Sequence, residues 1–348
     1  MRWPWQRSAS GDQLVLAWSQ QPLAFVRARA QREGGFEIMQ MGVERQGADS
    51  MDTFIARLDA AGLRDGTATA MLRPDQYHLL QVPAPAVPPE ELKSAARYQI
   101  RDMIDSHIDD ITLDVLHVGD GQQKNNPQLF VVAAKNADVR AVMELAGQMD
   151  WSVEVIDVQE TCQRNLQTAL AQRAGSAERA DACMVLSDDN HALITISAKG
   201  ELYYTRRLDL PEGFLTMTWT EGNTVLPDAP DGYTPVTEYV PDYSGETAAF
   251  GTTALSDSDR AQRLVVEVQR TLDLWDRTWS SLPLSGLQVY AGKRSAELAT
   301  WLARETGQTV SAMELDPLFA GLADRSDEER SLCLPLLGLL LRQEKSSS

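Results

Sequence analysis

The sequence is short of the residues on which most enzyme chemistry depends. It has three cysteines and four histidines in 348 residues. Cys162, Cys183 and Cys333 stand far apart in apolar contexts. An odd count without C-x-x-C spacing supplies neither a disulfide framework nor a zinc site. They read as small buried hydrophobes in a reducing compartment. His78, His107, His117 and His191 lack any spacing that would put two imidazoles on one metal ion. Positive charge is scarce as well: 32 Lys and Arg face 50 Asp and Glu, a formal net charge of −18. So acidic a surface repels a phosphate backbone, which excludes nucleic acid as a primary partner.

Long apolar runs are missing too. The run Leu332–Leu341 is about half of what a bilayer span needs, and it contains Pro335. The N-terminal Met1-Arg2-Trp3-Pro4-Trp5-Gln6-Arg7 is followed by no apolar segment, so it does not read as a secretory signal. Together these predict a soluble, cytosolic chain. Trp3 and Trp5, flanked by Arg2 and Arg7, are side chains that suit a membrane interface; a frayed terminus is the plainer reading. The sequence has no Walker A motif, no G-x-G-x-x-G after a strand and no G-x-S-x-G elbow. Gly119-Asp120-Gly121 sits between strands and lacks the helix that a phosphate loop needs. The pairs Asp109-Asp110 and Asp188-Asp189 are of a kind expected by chance among 50 acids, and they read as solvated faces. No catalytic residue and no metal ligand is assigned.

What is present is an ordinary core: 43% of residues are hydrophobic, and the length suits two to three domains. Three strand-like runs fill 12–45, and a helical pattern follows at 50–62. Two short strands come next, at 68–72 and 77–82. Pro88-Pro89-Glu90-Glu91 opens a helix whose apolar stripe is Leu92, Ala96, Ile100, Met103 and Ile104. Strands at 111–118 and 128–134, a helix at 137–149, a strand at 152–157 and a helix at 159–173 continue the chain. A second set of three strands, 182–187, 191–198 and 201–208, repeats the opening pattern. Between Leu208 and Asp259 there is no lysine or arginine, while ten residues are acidic. That stretch reads as strands and loops with a solvated acidic face, or as the contact for a basic partner. Helices at 258–280, 295–306 and 327–342, with strands at 287–291 and 308–312, complete the pattern. Two lobes that each start with a three-strand meander and go on through helix and strand form an α/β layered chain.

Several segments resemble one family. Val87-Pro88-Pro89-Glu90-Glu91-Leu92-Lys93-Ser94-Ala95-Ala96-Arg97-Tyr98-Gln99-Ile100-Arg101-Asp102, leading into Leu113-Asp114-Val115, resembles the inserted subdomain of PilM-type proteins. These are the actin-like cytoplasmic components of type IV pilus machines. The likeness continues through Phe130–Ala134, Val155–Val158, Gly200–Arg207 and Leu336–Arg342, and omits only the acidic 209–257 stretch. It is nearest to the MSHA-type branch, and the cytoplasmic part of the secretion protein GspL is similar too. The resemblance implies a two-lobed actin-like (RNase H-like, FtsA-like) α/β fold with a small α+β insertion. Residues 1–75 and 151–178 would form lobe 1, 76–150 the insertion, and 179–325 lobe 2. Residues 326–348 would return to lobe 1.

The same resemblance locates a nucleotide cleft, and there the sequence departs from its relatives. Family members grip phosphates with two hairpins of the form Asp-x-Gly, whose backbone N–H groups reach the oxygens while the acid holds magnesium through water. The first hairpin falls at Trp18-Ser19-Gln20, with no acid and no glycine. The second falls at Ser187-Asp188-Asp189, where the glycine is missing and two acids occupy the turn. Each like charge at about 4 Å costs on the order of 4 kcal/mol at an effective dielectric of 20. The adenosine-side glycine pair is reduced to Gly292, with Lys293 and Arg294 beside a helix start. The expectation is a degenerate cleft with neither ATP nor magnesium as working cofactor, and no hydrolysis. The expected role is a scaffold that docks the N-terminal cytoplasmic peptide of an inner-membrane PilN-like protein, with the assembly ATPase as a further partner. Leu92, Ala96, Tyr98 and Ile100, beside a free edge at strand 128–134, are where that peptide would sit. The competing reading is an ATP-binding protein whose nucleotide state regulates assembly.

Overall fold

The computed structural model describes residues 11–19, 22–32, 34–121, 126–186, 191–219 and 257–342. Outside these lie the Trp3–Trp5 segment, Gln20, Ser187, Asp188 and Asp189, most of the acidic stretch and the C-terminal tail.

The chain opens with the meander β1 (Gln13–Trp18), β2 (Leu23–Ala30) and β3 (Phe36–Glu44). Helix α1 (Met51–Ala60) follows, capped by the Ser50 hydroxyl, which accepts from the Thr53 N–H. Next come β4 (Gly66–Leu72), β5 (Tyr77–Pro83), α2 (Leu92–Ile100), β6 (Ile111–His117) and β7 (Gln128–Lys135). Helix α3 (Asn136–Gln148), strand β8 (Trp151–Val158) and helix α4 (Gln159–Ala174) complete the first half. The second half repeats the opening with β9 (Ala180–Leu186), β10 (His191–Ala198) and β11 (Glu201–Asp209). It continues through α5 (Asp257–Thr278), β12 (Leu284–Tyr290), α6 (Ser295–Thr306), β13 (Val310–Ala312), β14 (Phe319–Ala320) and α7 (Asp327–Leu340).

The two main sheets share one plan. In the first, β1 pairs antiparallel with β2 and parallel with β4, and β8 lies parallel beyond β4. In the second, β9 pairs antiparallel with β10 and parallel with β12, and β13 lies parallel beyond β12. The strand orders β3-β2-β1-β4-β8 and β11-β10-β9-β12-β13 are therefore the same. The first sheet gains β14 as a parallel edge through Phe319 beside Phe36. A third sheet, β5-β7-β6, carries α2 on one face.

Helices α4 and α7 lie between the two main sheets, and one core joins all four layers. It takes Val15, Ala17 and Val26 from the first sheet, Cys183 and Val185 from the second, Leu166 from α4 and Leu336 from α7. Helix α7 starts at a capping box in which Ser326 and Glu329 satisfy each other's backbone N–H groups. Helix α4 has no single apolar stripe because it is buried on several sides. Gln163 donates to the carbonyls of Cys183 and Leu193, each at 3.1 Å, and Gln167 to the carbonyl of Asp181 at 2.8 Å. These amides hold α4 to the second sheet, where unpaired polar groups would be costly.

All three cysteines lie in this central core, each 0% exposed. Burial pushes the Cys333 thiol up to about 12 and raises Cys162 and Cys183 as well. The thiolate is the reactive form. At mild alkaline pH an aromatic disulfide reagent is therefore expected to label no cysteine of the native chain, and to label all three in denaturant. Rapid labelling of a native thiol would contradict this packing.

Two sequence expectations are corrected here. The helix at 89 does not extend to Ile104. After Ile100 the Met103 N–H turns back to the carbonyl three residues earlier, and Met103 is exposed. Strand 128–134 is not a free edge either, since β7 is paired on both sides, to β5 and to β6. The unpaired edges belong to its two neighbours.

Candidate functional site

The expected cleft residues do not all face one space. Trp18 ends β1 opposite Leu23, and its indole enters the first-lobe core, 4% exposed and stacked on Phe54 at 5.4 Å. The Trp18 carbonyl accepts from the Gln76 amide at 3.0 Å. Trp18 is thus a packing residue, a correction to its expected place beside a ligand: a flat apolar ring is better sheltered against Phe54 than turned to water. Ser19 is half-buried in the hairpin turn that follows. The second hairpin turn, with Ser187, Asp188 and Asp189, lies outside the described residues.

At the third expected element, Gly292 takes a left-handed φ of +58° between β12 and α6. The Ala291 N–H donates to the Ser295 hydroxyl, which in turn donates to the Gly292 carbonyl. The two neighbouring cations already have partners. Lys293 Nζ lies 2.5 Å from Asp327 in the first turn of α7. Arg294 holds both carboxylate oxygens of Glu297 at 2.7 and 2.8 Å. Its guanidinium also lies 3.8 Å from the Trp219 ring centre and donates to the Leu215 carbonyl. A planar cation fixed on an aromatic face with a bidentate acid is committed to holding the second lobe together.

The expected partner-binding residues divide in the same way. Ala96 and Ile100 are 0% exposed and pack against Val82, Leu129 and Val131, with Leu92 half-buried on the same core. They hold α2 to its sheet and offer a partner no surface, because the apolar stripe of so short a helix is consumed by its own subdomain. Tyr98, on the other side of α2, is 75% exposed.

A cluster that sequence reasoning missed joins three parts of the chain. Glu160, in the first turn of α4, is 2% exposed. One of its oxygens accepts from the Tyr77 hydroxyl at the start of β5. The other lies 2.6 Å from Arg207 on β11. Arg207 also donates to the Tyr77 oxygen at 2.6 Å and to the Pro74 carbonyl at 3.1 Å. Burial, then the Glu160 carboxylate, pushes the Tyr77 phenol well above its ordinary value. Burial opposes the Arg207 charge, yet Tyr77 and Glu160 carry it above its usual value. The partners lie 47 and 130 residues from Arg207, so no local motif points to them. The signal that existed was an acid at the start of a helix and a paired arginine in a strand, both ordinary on a surface.

Among the described residues no group of three or more His, Cys, Asp or Glu is placed to hold a metal ion. No described helix is long and apolar enough to cross a membrane.

No protein-family model matches the sequence, and no curated protein matches it either. Solved structures do. A chain of the PilM-PilN type IV pilus biogenesis complex is similar with a TM-score of 0.62 at 16% identity, over 95% of this chain and 97% of that one. The fold is actin-like. A Bacteroides thetaiotaomicron protein with an actin-like ATPase fold and unknown function is similar at 10% identity, with a TM-score of 0.48. That match covers 95% of this chain and 96% of the other. The cytoplasmic domain of EpsL, an inner membrane component of the Vibrio cholerae type II secretion system, gives 12% identity and a TM-score of 0.41. It covers 74% of this chain and 95% of that domain. The duplicated strand order agrees with this fold, as does the small three-stranded insertion between β4 and β8.

Proposed function

We propose that this chain is a docking component of type IV pilus assembly, of the MSHA-type branch, held on the cytoplasmic side of the inner membrane by a PilN-like partner. The observation that carries the reading is the likeness, over nearly the full length of both chains, to a chain of a complex of PilM with PilN. The assembly ATPase is a further partner in this reading. Strand β5 is the receiving element. It is one of two edges of the small sheet, and the other, β6, blunts its own edge where the Asp114 carboxylate takes the Val115 N–H. An extended peptide added to a free edge gains main-chain hydrogen bonds, and alternating side-chain pockets supply selectivity.

The interlobe cleft in this reading is degenerate. Trp18 is folded into the core and Arg294 is fixed between Glu297 and the Trp219 ring, which leaves Lys293, in an exposed ion pair with Asp327, as the one of the three that a phosphate could still reach.

The test is a titration of the full chain with a synthetic peptide of the N-terminal cytoplasmic segment of a PilN-like protein. Binding at about 10 µM or tighter is expected, with protection of β5 amides from hydrogen exchange. No binding at about 100 µM, or protection confined to α2, would count against the docking role.

A further inference from the structure

A cavity of about 510 Å³ opens between the insertion and the second lobe. That size is inside the range of small-molecule sites. One wall is the face of the β5-β7-β6 sheet turned away from α2, where Gln81 and Gln128 stand beside Val118. The opposite wall is formed by Tyr203 and Tyr204 of β11 and by Trp279, just past α5. None of its described lining residues belongs to the β1–β2 hairpin or to the turn at Gly292. The walls are bolted together at one end. The Gly119 N–H donates to the Leu202 carbonyl at 2.7 Å, and a Cβ on Gly119 would stand 2.4 Å from the Tyr203 ring.

Ring spacing decides what the aromatic wall can take. Tyr203 meets Trp279 edge-on with centroids 4.8 Å apart, and Trp275 stacks on Trp279 at 5.8 Å. Rings so close leave no room for an ammonium group between them, so the cluster is a platform and not a cation cage. Tyr203 and Trp275 are buried beneath it, at 5% and 2% exposure, which leaves Trp279 and Tyr204 as the partly open faces.

The described polar groups that line the cavity are neutral, and the Asp120 carboxylate stands near the buried Tyr203 phenol without lining the cavity. Gln81, Gln128 and Thr278 line the cavity, and no Asp, Glu, Lys, Arg or His does so among the described residues. The side chains of Gln81 and Thr278 bond no described residue. Each amide both donates and accepts, as does each hydroxyl. Among the described lining residues a phosphate would find no cation. A pyranose ring meets both requirements: its C–H face stacks on an aromatic ring, and its hydroxyl rim needs donors and acceptors in equal measure.

We propose that this cavity binds a neutral mono- or disaccharide, with one ring stacked on Trp279 and its hydroxyls bonded by Gln81, Gln128 and Thr278. Because the walls come from the insertion and the second lobe, the sugar stabilises their contact. The proposal is independent of the docking role.

The test is ligand-observed saturation-transfer NMR on the full chain with glucose, galactose, N-acetylglucosamine and maltose, and with adenosine as the flat aromatic comparison. At least one saccharide is expected to bind with a Kd of about 1 mM or tighter, weakened about tenfold or more in both Trp279→Ala and Gln81→Leu. Gln81 is exposed, so its variant keeps the test valid should Trp279→Ala fold poorly. No saccharide transfer, equal binding in Gln81→Leu, or binding by adenosine alone would overturn the assignment.

Discussion

Arg207→Ala is expected to destabilise the chain by about 3–5 kcal/mol, because it leaves a buried carboxylate without its counter-charge. Glu160 is 2% exposed, and its neighbours in the cluster are Tyr77 and Arg207. Denaturant unfolding of the variant measures the loss. The double variant Arg207→Met with Glu160→Leu separates the charge effect from lost packing. Replacing both members of a buried pair by apolar side chains is often neutral, so most of the stability should return. A double variant as unstable as the single one would place the loss in packing instead. The cluster also carries a pH dependence. The Tyr77 phenol is favoured neutral in the fold, whereas an unfolded tyrosine ionises near 10. Its contribution is therefore complete below about pH 10 and declines as pH rises further. From the second lobe Arg207 bonds the β4–β5 turn, β5 and α4 together.

Gly338→Ala has the second large expected effect. A Cβ there would lie 2.0 Å from the Cys162 carbonyl oxygen and 2.6 Å from its carbon, both backbone atoms of α4. Helices α4 and α7 cross at this point, and Asn165 ties them by donating to the Gly338 carbonyl at 3.0 Å. One methyl group forces the helices apart in the layer that joins both lobes. About 3 kcal/mol or more of unfolding free energy should be lost, at the upper end of overpacking costs. Gly147, near the end of α3, is the control. Nothing lies within 4 Å of its would-be Cβ, so Gly147→Ala should be neutral or stabilising by up to about 1 kcal/mol. Equal effects at the two glycines would contradict the close crossing.

The parts of the fold that could be read from sequence are those whose pattern is local. Helix α5 shows Ala261, Leu264, Val265, Val268, Leu272 and Trp275 on one buried face, and periodicity alone locates it. The two meanders follow from apolar runs split by turns, and their repetition pointed to the duplicated lobes. The sequence predicts a helix at 159–173, but nothing in it explains the glutamines of α4. Gln163 and Gln167 are buried because a second sheet covers them, and that sheet lies further along the chain. Strand β14 is two residues long and exists only through its pairing with β3, so no sequence pattern marks it. The site was less legible than the fold. For Leu92, Ala96, Tyr98 and Ile100 the sequence supports a peptide site and a subdomain core equally, since an apolar stripe looks the same whether it faces a partner or its own sheet. Gly292, Lys293 and Arg294 do form one turn, but the acids that engage the two cations, Asp327 and Glu297, could be recognised only in space.

In the proposed reading an actin-like frame serves docking without a working nucleotide grip. Thermal unfolding of the full chain with and without about 5 mM Mg-ATP decides this, since any ligand of the native state raises the melting temperature. A change of no more than about 1 °C is expected. A saturable rise of several degrees that needs both the nucleotide and magnesium would contradict it, and would favour an ATP-regulated assembly protein.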